Sequence, residues 1–186
     1  SEDDVLCFKS EYADKLTENI TVNNCIIASI CNGVKLGTGS RGGFRNISVN
    51  NVIIKRSTHN GFRHWEMTPD IVHKDSLASV NTGIVILGVD GGIVENISFS
   101  NITMTDVLSP FFIRVGKRFL NDNNQTSTMK NIRISNVTAE TRSIMPSVIA
   151  GLEESVIEDV VISGVKITVP IGVDKDFFST FPVSAS

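Results

Sequence analysis

Arg45-Asn46-Ile47-Ser48-Val49-Asn50-Asn51 is one of five copies of a short pattern, and the spacing of those copies decides the fold. The others are Glu18-Asn-Ile-Thr-Val-Asn-Asn24, Glu95-Asn-Ile-Ser-Phe-Ser-Asn101, Lys130-Asn-Ile-Arg-Ile-Ser-Asn136 and the degenerate Glu158-Asp-Val-Val-Ile-Ser-Gly164. Within each copy apolar and polar residues alternate, as in Ile47 and Val49, which is the period of a half-buried strand. Second apolar runs lie between the copies: Gly33-Val-Lys-Leu-Gly37, Gly83-Ile-Val-Ile-Leu87, Phe111-Phe-Ile-Arg-Val115 and Ser147-Val-Ile-Ala150, with Val5-Leu-Cys-Phe8 ahead of them all. Repeat starts are about 27 or 28 residues apart in two intervals and about 50 and 35 in the others. Insertions near 57–82 and 117–128 account for the excess. Units of this size, without helical periodicity between them, cannot bury an apolar face alone and must stack on one another. The expected fold is all-β, a right-handed single-stranded parallel β-helix of about five to six coils. It spans residues 1–168, with 169–186 as a C-terminal cap or tail carrying Phe177, Phe178 and Phe181.

The recurring asparagines fit that scaffold. Asn19, Asn46, Asn96 and Asn131, with Asn24, Asn51, Asn101 and Asn136 five positions on, are expected to stack at bends and to bond the turn backbone of successive coils. Five of these begin glycosylation-type sequons (Asn19, Asn46, Asn96, Asn101, Asn136), which a bend would make inaccessible; Asn124, in the second insertion, is the accessible one. Gly37-Thr-Gly-Ser-Arg-Gly-Gly43 lacks the Gly-Lys-Ser ending of a phosphate loop and reads as a turn between coils.

Composition narrows the function. The net charge is -3 and the basic residues are scattered, which speaks against a nucleic-acid surface. No apolar run reaches the roughly 18 residues of a membrane span, and the start has no signal-peptide pattern. The three cysteines, Cys7, Cys25 and Cys31, are too few and too odd in number for a disulfide framework. They read as buried thiols, with one bridge such as Cys7 to Cys25 open in an oxidising compartment. No histidine lies near them, and His59, His64 and His73 with Asp70 and Asp75 fit no metal-ligand spacing, so no metal or cofactor is expected.

Ahead of the first apolar run stand two adjacent acids, Asp3 and Asp4, followed by Lys9. Paired carboxylates can protonate a leaving oxygen and activate a water, which is how most glycosidic bonds are hydrolysed. Neighbouring strand residues point to opposite faces, so both acids reach one groove only if the chain bends there. Inverting hydrolases separate their two carboxyl groups by roughly 6.5–9.5 Å.

Asp3-Asp4-Val-Leu-Cys-Phe-Lys9-Ser10, Cys31-Asn-Gly-Val-Lys-Leu-Gly-Thr38 and Gly83-Ile-Val-Ile-Leu-Gly-Val-Asp-Gly-Gly92 followed by Glu95-Asn-Ile together resemble glycoside hydrolase family 28, the polygalacturonase-like β-helices. The likeness runs from Asp3 to about Val165, and Phe111-Phe-Ile-Arg-Val-Gly-Lys-Arg118 is similar to a segment of exo-acting bacterial members. It implies hydrolysis with inversion of a pectic or related plant polysaccharide, with Asp3 as general acid and Asp4 helping to activate the water. In the family a further aspartate, from an Asn-Thr-Asp motif one coil earlier, completes the cluster. This chain starts at the coil that carries the pair, so it is expected to be the C-terminal portion of a longer protein. Its open first coil is expected to self-associate or to meet that missing part. Secretion, or export to a periplasm, is expected of such an enzyme.

The chain departs from the family at two places. Cys31-Asn32-Gly33 stands where polygalacturonases have Gly-His-Gly, and Val85-Ile86-Leu87 stands where they carry Arg-Ile-Lys to hold a uronate carboxylate. A neutral pair there cannot clamp an anionic sugar by charge-assisted hydrogen bonds. Substitute binding residues are sought in Arg63, His64 and Trp65 of the first insertion, where an indole could stack on a sugar ring beside a cation. Lys9, Asn32, Lys35, Asp90 and Arg114, in or beside strands, are the other substrate-binding candidates; for Lys35 and Arg114 an outer-face role is the simpler expectation. Two further functions compete: a non-catalytic carbohydrate-binding or structural β-helix, favoured by the lost histidine and charges, and a polysaccharide lyase, which would need a Ca²⁺-binding acidic cluster.

Overall fold

A computed structural model describes residue 1 and residues 3–57, 80–119, 125–142 and 145–169. Its strands are β1 (Leu6–Ser10), β2 (Thr17–Ser29), β3 (Asn32–Ser40), β4 (Gly43–Arg56), β5 (Val80–Gly88), β6 (Ile93–Val115), β7 (Thr128–Thr141), β8 (Val148–Ala150) and β9 (Ile157–Thr168). All pairings between these strands are parallel. One stack runs β2, β4, the first half of β6, β7 and β9, and the other runs β1, β3, β5, the second half of β6 and β8. Because β6 belongs to both stacks, it traces most of one coil without interruption. The sheet wraps round an axis, and the fold is the parallel β-helix that the repeat called for.

The alternation in the repeat becomes columns of core side chains. Ile20, Ile47, Ile97, Ile132 and Val160 lie in register, as do Val22, Val49, Phe99, Ile134 and Ile162. Facing them from the other stack are Phe8, Leu36, Ile86, Ile113 and Ile149. The middle coils are sealed: Ile47, Phe99, Ile86 and Ile134 are at most 1% exposed. In the last described coil, Ile162 and Ile167 are 41% exposed; among the described residues β9 has a strand on one side only.

The asparagines occur where each strand bends. Asn19, Asn46, Asn96 and Asn131 have φ between 53° and 59°, as do Asn24 and Asn101, while Asn51 and Asn136 are at 52°. Asparagine tolerates this left-handed conformation better than most residues, so the chain turns without breaking the sheet. The degenerate copy keeps both bends, with Asp159 at 49° and Gly164 at 61°. The expected bonds to turn backbone are replaced by bonds between side chains. Asn46 donates to Asn19 at 3.0 Å, Asn96 to Asn46 at 3.0 Å and Asn131 to Asn96 at 2.7 Å. The second row is less regular, since Asn101 donates to Asn50 rather than to Asn51. The sequon asparagines of the ladder are exposed at the surface, contrary to expectation. What restrains Asn46, Asn96, Asn101 and Asn136 is that the amide nitrogen of each already donates to the preceding coil. Asn124 lies outside the described residues.

The glycine-rich turn is shorter than its sequence suggested. β3 runs on to Ser40, and the corner falls at Arg41 and Gly42. Gly43 follows with φ 94°, and a Cβ there would stand 2.0 Å from the Ile93 carbonyl oxygen, so no larger residue fits.

Candidate active site

Asp3 and Asp4 precede β1, where the backbone bends. The bend is pinned from three sides. The Asp3 amide donates to Ser1 Oγ at 3.2 Å, Ser29 Oγ donates to the Asp3 carbonyl at 3.1 Å, and the Val5 amide donates to the Asn32 carbonyl at 3.3 Å. Asp3 itself is exposed, and its Oδ1 accepts the Asp4 amide at 2.7 Å.

Asp4 lies deeper and is held at both oxygens. Asn32 Nδ2 donates to Oδ1 at 2.7 Å and Lys35 Nζ to Oδ2 at 2.8 Å, with the Asp4 side chain only 11% exposed. Both donors come from β3, one coil on. Leu6 of β1 pairs with Val34, which places Asn32 and Lys35 beside the approach to β1. Burial alone would raise the Asp4 carboxyl; the hydrogen bonds from Lys35 and Asn32, the lysine charge and the Cys31 thiol outweigh it and hold the group below its ordinary value of 3.8. Burial would likewise lower Lys35, yet the Asp4 carboxylate keeps it above its ordinary 10.5. The pair is therefore an ammonium and a carboxylate throughout the neutral range.

Cys31 is the neighbour that sequence reasoning passed over. Burial, then the charge of Asp4 and a hydrogen bond to it, push the thiol up to about 12, so it stays protonated and donates. The signal was present: Asp4 and Asn32 are 28 residues apart, one coil period, and the same step from Asp3 reaches Cys31. Cys7 is half-buried and also raised, first by burial and then by Asp4. All three cysteines are free thiols, so the Cys7–Cys25 bridge is not formed. Asp3, Asp4 and Cys31 bring ligand-type atoms within 4.8 Å of one another. With Lys35 on Asp4 and the thiol protonated, this donor set is ill-suited to a cation.

The remaining candidates separate. Lys9 is exposed on β1, and the Asp4 carboxylate bonds to Asn32 and Lys35 instead. Arg114 is exposed on the second half of β6, on the outer face that also carries Lys35. Asp90 is corrected outright: it is 1% exposed and is no groove residue. Arg118 grips its two oxygens at 2.9 and 2.6 Å and the Ser40 amide adds a third bond at 3.0 Å. A carboxylate so committed ties the β3 corner to the loop after β6 and has nothing left for a sugar. Arg63, His64 and Trp65 lie outside the described residues, as do His59, His73, Asp70 and Asp75.

The family model for glycosyl hydrolases family 28 matches residues 69–185, well over half of the chain. The chain belongs to glycosyl hydrolase family 28. No curated protein and no solved structure matches it. In this family 28 chain the matched stretch covers β5 to β9, while Asp3, Asp4, Asn32 and Lys35 come from the coils before it. The glycosidase family thus rests on the later coils, and the acid pair on the geometry of the first two.

That geometry has a pH signature in this family 28 chain. Asp4 is depressed in the folded state, so its pairing stabilises the fold above the ordinary value of 3.8, and the contribution is lost as pH falls through the folded value. Lys35 is raised, so its share is full below 10.5 and is lost as pH rises through its own folded value. Lys35→Met leaves Asp4 buried without its cation, and the Asp4 carboxyl is expected to titrate at higher pH than in the wild type. Carbon-detected NMR of the aspartate carboxyls checks this; an unmoved Asp4 midpoint would show that Lys35 does not control it.

Proposed function

We propose that the protein is an inverting glycoside hydrolase acting on a pectic or related plant polysaccharide, with Asp3 as general acid and Asp4 as the fixed carboxylate on the water side. The observation that carries this reading is the difference between two adjacent acids. Asp4 is locked and ionised by Lys35 and Asn32, whereas the Asp3 carboxyl group is exposed and, among the described residues, accepts a single hydrogen bond. An acid–base pair needs such division of labour, one group kept charged and one free to exchange its proton.

The pair is closed in this state. Oxygens of Asp3 and Asp4 approach within 4.8 Å, nearer than the roughly 6.5–9.5 Å separation at which an inverting pair leaves room for its water. Rotation of the exposed Asp3 side chain away from the Asp4 amide opens the gap without disturbing the clamp on Asp4. A glycan entering between them would then meet Asp3 on its leaving oxygen and a water on the Asp4 side.

The close approach of the pair and the hydrogen bond held by each Asp4 oxygen also favour a second reading, a carbohydrate-binding β-helix without turnover. One experiment separates the two. Pectic oligosaccharides are incubated with the protein and the first-formed anomer is followed by proton NMR. The hydrolase reading expects the anomeric configuration opposite to that of the bond cleaved. Retention would overturn the inverting assignment, and binding with no cleavage would leave the second reading.

A further inference from the structure

One buried hydroxyl joins the two acids to the segment that clamps one of them. Ser29 ends β2 and is 0% exposed, so it touches no substrate itself. Its Oγ donates to the Asp3 carbonyl at 3.1 Å and accepts the Cys31 amide at 2.8 Å. A serine hydroxyl donates once and still accepts, so both bonds form together. The Ser29 carbonyl accepts the Ser57 amide at 2.9 Å, which anchors the residue to the next coil.

The place of these bonds gives the hydroxyl leverage. The Asp3 carbonyl belongs to the peptide between the two acids, and a peptide is a rigid plane. Holding its oxygen restrains the rotation of that plane, and with it the directions in which Asp3 and Asp4 leave the backbone. At its other end the bridge reaches the Cys31 amide, in the bend at Ile30 and Cys31. The side chains of Cys31 and Asn32 both bond the Asp4 carboxylate. The other restraints on the acid-bearing bend differ in kind. Ser1, whose Oγ receives the Asp3 amide, is exposed, and the Val5 amide meets the Asn32 carbonyl through backbone alone. Among the described residues, Ser29 is the buried side chain that bonds the backbone of this bend.

We propose that Ser29 is a positioning residue for the acid pair, its hydroxyl fixing the Asp3–Asp4 peptide against the bend at Cys31 so that both carboxyl groups face one site. This rests on the reading of Asp3 and Asp4 as the cleaving pair. Without the hydroxyl the Asp3 carbonyl and the Cys31 amide lose a partner each, and the peptide between the acids is free to turn. In a regular strand neighbouring side chains point to opposite faces, so relaxation of the bend toward strand geometry carries one carboxyl away from the site. A misplacement of about 1 Å is enough to cost roughly 10²-fold in rate.

The test compares Ser29→Ala with Ser127→Ala. Ser127 is likewise 0% exposed, but it precedes β7 and bonds Gly91 and Ser155 of the later coils, so it reports the cost of losing a buried hydroxyl elsewhere in the stack. Ser29→Ala is expected to lower kcat on pectic oligosaccharides by roughly 10–100-fold with KM nearly unchanged. It should also raise the pH at which the Asp4 carboxyl titrates, followed by carbon-detected NMR, because the bonds from Lys35, Asn32 and Cys31 loosen while the group stays buried. Ser127→Ala should leave all three readings near those of the wild type. Ser29→Cys, close in size but a much weaker donor, is read in the same way if the alanine variant does not fold. An unchanged kcat, an equal loss in Ser127→Ala, an unmoved Asp4 midpoint, or loss of the fold in both Ser29 variants would overturn the positioning role. The titration needs no turnover. If the unmutated protein cleaves none of the oligosaccharides, the hydrolase reading falls, and the Asp4 midpoint alone decides whether Ser29 positions the pair.

Discussion

Asp3→Asn is expected to slow hydrolysis of pectic oligosaccharides by roughly 10²–10⁴-fold, the range that one positioned proton donor contributes. The substitution removes the exchangeable proton and little else. Asparagine keeps a carbonyl oxygen where Asp3 Oδ1 now accepts the Asp4 amide at 2.7 Å, and the side chain is exposed, so the bend should survive. Steady-state rates for the two proteins, with a denaturation curve for each, are the measurement. Equal rates would remove Asp3 from the chemistry. A lower rate accompanied by a lower denaturation midpoint would instead mean that the bend had been lost. Asp4→Asn makes a poor substitute, because it leaves Lys35 half-buried without its counter-ion and mixes stability with catalysis.

Phe99→Ala is expected to cost about 3–5 kcal/mol of stability, the usual range for deleting a fully buried aromatic ring. Phe99 is 1% exposed in the middle coil, in register with Val49 on one side and Ile134 on the other. A coil of a solenoid is supported only by its neighbours, so a cavity here weakens both interfaces at once. Ile162→Ala, in the same column but 41% exposed in the last coil, should cost clearly less. Urea denaturation followed by tryptophan fluorescence and circular dichroism measures both variants. Similar midpoints for Phe99→Ala and Ile162→Ala would contradict the picture of a stack sealed at its centre.

Much of this protein was written in the period of its chain. The alternation within each repeat assigned inward and outward positions, and the recurring Asn-Ile pairs marked bends that all prove to have positive φ. The degenerate copy at Glu158 was recognised in spite of its lost asparagines, and its Asp159 and Gly164 turn as Asn131 and Asn136 do. The Lys35–Asp4 contact was not so legible: it spans 31 residues, three more than the 28 between Asp4 and Asn32, and an outer-face role was the simpler expectation for Lys35.

Asp90 shows where that reading stops. Next to two glycines it looked like a surface residue beside a groove, yet it is among the most deeply buried charged groups. Its burial depends on the meeting of three segments, around Ser40, Asp90 and Arg118, at the corners between strands. Corner loops differ in length from coil to coil, so the repeat carries no register through them.

The sequence by itself determined the stacked parallel strands and the columns of the core, because each follows from a periodicity along the chain. Only the tertiary structure decided which of two adjacent aspartates is clamped and which is free, and that Asp90 belongs to the scaffold. Burial and hydrogen-bond partners across non-repeating corners set those outcomes, and such contacts have no period to read.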